Sequence, residues 1–233
     1  MRIIFYFGLL FLLTGVNTAQ KEKLHRGIEE DEDYSSCEYE NPTATLGLGL
    51  VILPDEFILY EDSALTKVFC ERIMFNEVNV RPEICAKFCK PEYSIMHLVC
   101  VNMNENSYSV LIDSSTVAYA PRNDQYTFNQ WGEYITSSLG IRRKPEFMKD
   151  NPLKPEPTSK GKSISLPKGN ESLCAMEVKG DWVKVKYDCF QTKDNNEYLG
   201  EPCVLYISLC ETQVGWIKWR DEETLLIDLF LIP

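Results

Sequence analysis

Gly180-Asp181-Trp182-Val183-Lys184-Val185 and, further along, Gly215-Trp216-Ile217-Lys218-Trp219 hold three of the chain's four tryptophans. Each opens on a turn or a glycine and then alternates apolar with polar residues, the pattern of a short strand with one buried and one wet face. In the second stretch, alternation sets Trp216 with Lys218 on one face and Ile217 with Trp219 on the other, so one tryptophan belongs to the core and one can be exposed. Trp182 is read as core, and Trp216 can fall either way. Together with Tyr187 these residues, Trp182, Trp216 and Trp219, form a candidate binding surface, because tryptophan and tyrosine offer large contact area with few rotors.

Between the two stretches lies an insertion, Cys189 to Thr212, with a polar tip at Thr192 to Glu197 and three of the four cysteines of this half. A loop of that length is entropically costly unless stapled, so at least one disulfide is expected within residues 174–210, and the insertion is expected to be the distinctive surface. Beyond Trp219, Leu225 to Ile232 reads as a closing strand too continuously apolar for one wet face, and so as a contact between modules. Upstream, residues 142–162 carry Pro145, Pro152, Pro155 and Pro157 among lysines and polar residues, an extended linker. Thr127 to Leu139 has the period of the one confident helix: Phe128, Trp131, Ile135 and Leu139 share a face, Thr127 and Gln130 suit a capping box, and Gly140 ends it. Before it come strand-like Leu46 to Leu53, Phe57 to Tyr60, Tyr93 to Met103, Tyr108 to Ile112 and Val117 to Tyr119, with Asn104-Glu105-Asn106-Ser107 as a hairpin turn.

The halves also echo each other. Cys100 precedes Tyr108, and Cys174 precedes Trp182, by the same eight residues, and Tyr119 loosely matches Trp216, the mark of a diverged repeat. The tryptophan signatures resemble bacterial Src-homology-3-like (SH3-like) domains of cell-envelope proteins, and Leu59-Tyr60-Glu61-Asp62 resembles their opening strand. The resemblance implies a mostly β chain of two small SH3-like barrels in tandem, with one α-helix and the proline-rich linker between them. The expected organisation is a signal peptide (1–19), a disordered acidic lead (20–44), a first module plus helix (45–141), the linker (142–162) and a second module (163–233) with its insertion at 189–212.

Residues 1–19 join Arg2 to an apolar run, Ile3 to Leu13, and then to small or polar residues ending at Ala19, the layout of a secretory leader. The run is too short to cross a bilayer as a helix, so no transmembrane anchor is expected, and an exported location, periplasmic or extracellular, follows. The net charge of −11 becomes −12 when Arg2 leaves with the leader, which argues against a nucleic-acid partner. Nine cysteines in an exported chain point to disulfides. Cys37, Cys70, Cys85, Cys89 and Cys100 form an odd set, leaving one thiol free or able to reach another chain. Cys174, Cys189, Cys203 and Cys210 form an even set, whose connectivity spacing alone leaves open.

Catalysis finds little support. His25 lies in the lead and His97 alone in the folded part, and no G-x-S-x-G, H-E-x-x-H or phosphate-cradling loop is present. Cys85, Cys89, His97 and Cys100 have the ligand types of a zinc site, but disulfides account for the same cysteines in an exported chain, so neither metal nor cofactor is expected. The resemblance therefore implies a non-catalytic binding module for cell-wall glycopeptide or an envelope protein. The alternative is an acidic periplasmic inhibitor or immunity-type protein that blocks a basic secreted enzyme, with its negative charge steering the encounter.

Overall fold

Fifteen short strands and one helix follow one another through the described residues of this computed structural model, which are 40–41, 45–73, 84–167, 171–190 and 197–232. The expected leader, nearly all of the acidic lead, and Cys37 lie outside them. The strands are β1 (Gly49–Ile52), β2 (Glu56–Tyr60), β3 (Val68–Ile73), β4 (Phe88–Lys90), β5 (Ile95–Met103), β6 (Ser107–Leu111), β7 (Val117–Pro121) and β8 (Thr127–Gln130). After helix α1 (Trp131–Thr136) come β9 (Gly140–Arg143), β10 (Leu173–Lys179), β11 (Trp182–Tyr187), β12 (Val214–Lys218), β13 (Arg220–Asp221), β14 (Thr224–Leu225) and β15 (Ile227–Phe230). Among the described residues the protein is thus mostly β with a single α-helix, as the alternating patterns imply.

The sheets are open ladders where two closed barrels were expected. One runs β3-β2-β7-β6-β5-β1-β8, with β4 added against β5, a second runs β12-β11-β10-β9-β15, and β13 and β14 pair as a two-stranded ribbon. The boundary expected at 141/142 falls inside β9, whose Ile141 pairs with both Leu173 and Leu229 in the interior of the second sheet. One hydrophobic cluster joins Leu46 and Leu50 of the first sheet's side to Val183, Val185, Ile217 and Trp219 of the second. Helix α1 lies between them. Its Trp131 donates its indole N–H to the Leu46 carbonyl at 2.6 Å and tilts against Trp219 at 5.7 Å between ring centroids.

The helix is shorter than its apolar period suggests, because Thr127–Gln130 pairs with β1 from Ile52↔Thr127 to Gly49↔Gln130. The capping residue is Gln130, whose N–H reaches the Glu133 carboxylate at 3.4 Å, rather than Thr127. Gly49 at the start of β1 has φ +156°, and a Cβ there would lie 2.3 Å from the Asn129 carbonyl oxygen, so this close pairing admits no side chain.

The proline-bearing segment 142–162 packs onto the second sheet. Lys154 exchanges backbone hydrogen bonds with Trp216, at 2.8 and 2.7 Å. Asn151 repeats the motif with its side chain, donating to the Lys218 carbonyl at 2.7 Å and accepting the Lys218 N–H at 2.8 Å. A row of backbone groups on an edge strand invites pairing with another chain, and this segment covers that row along β12. Gly215 permits the approach: a Cβ would sit 2.6 Å from the Lys154 carbonyl oxygen and 2.7 Å from Leu153.

Candidate functional site

The aromatic residues expected to form a binding surface are mostly core. Trp216, Trp219 and Tyr187 are buried. Trp219 is fixed by Trp131 and by its indole N–H to the Gly180 carbonyl at 2.8 Å. Trp182 is half-buried and shares the outer face of β11 with Lys184 and Lys186, so it is not the core residue expected, while Trp216, which the sequence left open, is buried. The tryptophan strands read correctly as strands, and Lys154 and Asn151 lie along the free edge of β12, while Trp182, Lys184, Lys186 and Lys218 stay half-buried on the outer face.

Exposed apolar side chains gather elsewhere. Among the described residues, Leu199, Val204, Leu205, Leu209 and Val214 are exposed, and the first four stand on the insertion. Leu199, Leu205 and Leu209 are 64 %, 69 % and 61 % exposed, a degree unusual for leucine in a folded segment. Leu199 stands on the turn at 197–200, and the backbone beneath Leu205 and Leu209 is short 3-10 turns, Cys203–Leu205 and Ile207–Leu209, which put neighbouring side chains on different faces. Tyr206, Ile207, Cys203 and Cys210 consequently point inward while Leu205 and Leu209 point out.

Two disulfides fix this platform. Cys174 joins Cys203, with Cα atoms 5.6 Å apart, and Cys189 joins Cys210 at 5.8 Å. The expectation of a bridge within 174–210 is met twice, by first-to-third and second-to-fourth connectivity. Bridges closing sequence separations of 29 and 21 residues are each worth about 3 to 4 kcal/mol in the chain-entropy account, although overlapping loops do not add in full. Below the leucines, Tyr198 stacks on Tyr206 at 4.7 Å and Phe190 meets Tyr198 edge-on at 4.8 Å. The fully buried Asp188 accepts the Tyr206 hydroxyl at 2.9 Å and the Phe190 N–H at 2.8 Å. Nothing in spacing announced Asp188, whose role depends on Tyr206 folding back over it. Glu197, Glu201 and Glu211 are exposed around the leucines, so the rim carries negative charge.

The first-half cysteines behave differently. Cys85 is disulfide-bonded, whereas Cys70, Cys89 and Cys100 are thiols, more than the single one expected. Burial pushes the Cys89 and Cys100 thiols up to about 11, which keeps them protonated and poor nucleophiles. His97 is buried, its Nδ1 is 2.6 Å from the Tyr134 hydroxyl, and burial lowers it to about 4. Its ring is thus neutral and bonded within the core, and among the described residues no three His, Cys, Asp or Glu side chains are grouped as metal ligands.

Disulfides are features of oxidising compartments, which agrees with an exported chain. Among the described residues no helix is long and apolar enough to cross a membrane. Comparison with protein-family profiles, with curated proteins and with solved structures returned no match to this chain.

Proposed function

We propose that this is an exported, non-catalytic binding protein whose stapled insertion docks onto a positively charged protein partner in an oxidising compartment. The observation that carries the reading is the pairing of exposed Leu199, Val204, Leu205 and Leu209 with a backbone already fixed by two disulfides. Large apolar side chains on a rigid support lose little conformational entropy on binding, which is how preorganised recognition surfaces gain affinity. Protein interfaces commonly place such an apolar centre inside a polar rim. Here Glu197, Glu201 and Glu211 and the chain charge of −11 favour a cationic partner and would speed its approach. The SH3-like resemblance of the tryptophan signatures supports an envelope setting, and a basic secreted enzyme is the partner class that matches the charge.

The test is a kinetic titration of the immobilised protein against a basic muramidase and against the same enzyme with acetylated lysines. Acetylation removes the positive charge of lysine and leaves most of the surface intact. Binding with an association rate that falls steeply with salt and is lost on acetylation is the expected result. Equal binding of both forms, or sedimentation with purified peptidoglycan and no affinity for the muramidase, would replace a cationic protein by wall material as the partner.

A further inference from the structure

A second site lies at the opposite end of the molecule's chemistry, in the first sheet. Strands β2 and β7 pair only at Tyr60↔Tyr119. Continuing that antiparallel register by two residues would set Ile58 opposite Pro121, which has no N–H to give to the ladder. There the strands separate. The Tyr126 hydroxyl takes over the pairing, accepting the Ile58 N–H at 2.8 Å and donating to the Ile58 carbonyl at 3.0 Å. The separation leaves a cleft of about 550 Å³, lined by Glu56, Ile58, Tyr60, Glu71, Asn123 and Gln125 among others. That volume lies within the range of about 300 to 1,000 Å³ typical of small-ligand sites.

We propose that this cleft binds a neutral glycan, an uncharged polyhydroxylated chain read by side chains rather than by the sheet edge. Two features favour that class. An added peptide strand would need the Ile58 backbone groups, and Tyr126 already occupies both, so strand addition has no ladder to join here. What the cleft offers is planar polar groups and a ring: the side chains of Glu56, Glu71 and Gln125 make no hydrogen bond or ion pair among the described residues, and Tyr60 is half-buried beside them. Carboxylate and amide ends can each engage adjacent hydroxyls, and a partly exposed phenol offers an apolar face to a sugar ring. Glu56 and Glu71 outnumber Arg72, the cation in the same lining, and so disfavour phosphorylated or acidic ligands. The support is rigid, because the Asn123 side chain accepts the Gln125 N–H at 2.9 Å and holds the loop over the cleft.

The experiment is a calorimetric titration of the full chain with cellotetraose and with chitotetraose, alongside a lysine-rich peptide. Binding of at least one oligosaccharide, insensitive to salt and weakened tenfold or more by Gln125→Ala and by Tyr60→Ala, is the expected result. Gln125 is exposed and its side chain has no bond to lose, so its removal should leave the melting temperature unchanged. Leu205→Ser on the insertion should leave glycan binding unaltered, which separates this site from the protein-binding surface. Absence of oligosaccharide binding at millimolar concentration would overturn the assignment. So would equal binding by the Gln125→Ala and Tyr60→Ala variants, or salt-sensitive binding of the lysine peptide alone.

Discussion

Two three-stranded meanders, β5-β6-β7 and β10-β11-β12, have the same plan and different fates. Each begins with a strand carrying a fully buried cysteine, Cys100 or Cys174, and in each the register slips just past it, between Cys100 and Asn102 or between Ala175 and Glu177. The eight-residue echo in the sequence therefore corresponds to a repeated bulged hairpin. Their next connections differ. Residues 112–116 close the first meander, with Asp113 accepting the Ser115 and Thr116 N–H groups at 2.7 and 2.6 Å. Residues 188–213 join β11 to β12, far too long for one side chain to organise. Where a carboxylate suffices, Cys100 stays a thiol; where a long insertion must be held, Cys174 is drawn into a disulfide. The comparison teaches that stapling follows the loop, and that the loop is what the second meander has added to the shared plan.

The comparison breaks most violently at Trp219. Ile95, Val99 and Leu111 of the first meander share a hydrophobic cluster with the second, in which Trp219 packs on Trp131, so Trp219→Ala should cost about 3 to 5 kcal/mol. Chemical denaturation should show one transition, shifted as a whole; two separated transitions would mean that the halves fold independently. Limited proteolysis adds to this, since cutting within 142–162 should be slow while Leu153, Lys154 and Asn151 remain buried on the second sheet.

The first meander also carries a titrating group. His97 has a folded value near 4 against an ordinary 6.5, so its neutral form is held in the fold while the unfolded chain takes up the proton first. Its contribution is complete above pH 6.5 and falls away as pH drops toward 4, by about 3 kcal/mol in all. Denaturation midpoints measured from pH 7 to pH 4 should show this decline, and His97→Gln should flatten it. A wild-type curve unchanged across that window would contradict the buried neutral ring.

Smaller effects sharpen the contrast between the cysteines. Replacing both Cys174 and Cys203 by alanine should cost about 2 to 4 kcal/mol. Cys100→Ala, which loses a buried sulfur and its hydrogen bond to the Asn102 carbonyl at 3.2 Å, should cost about 1 kcal/mol. Equal losses would remove the distinction. Mass mapping of the unreduced protein should find Cys174 with Cys203 and Cys189 with Cys210.

Much of the fold was legible in the sequence, because alternation marks strands irrespective of their partners. Phe57 to Tyr60, Tyr108 to Leu111, Val117 to Tyr119 and both tryptophan strands emerge from that pattern alone. What it lacks is information on which edges are covered. Pro152 to Pro155 reads as linker by composition, and only Gly215 hints that a backbone lies against β12. That contact lies against Trp216, which is buried, and composition gave no sign of it. The insertion was legible as a stapled surface from its cysteines and length, but its exposed leucines were not, because a 3-10 turn has no simple apolar period to betray which side faces out. Asp188 and the cleft beside Tyr126 depend on contacts between distant residues and leave no local mark.

In the proposed function, recognition belongs to the stapled insertion and not to the tryptophan strands. The most direct measurement compares affinity for a basic muramidase in the Leu205→Ser/Leu209→Ser double variant with that in Trp182→Ala, the tryptophan that keeps an exposed face. Surface leucines removed from a fixed backbone should alter stability by no more than about 0.5 kcal/mol, so a change in binding can be read without unfolding. The leucine variant should bind at least tenfold more weakly, with Trp182→Ala close to wild type. Wild-type affinity in the folded leucine variant, with the loss appearing in Trp182→Ala, would contradict the claim and return the site to the strands.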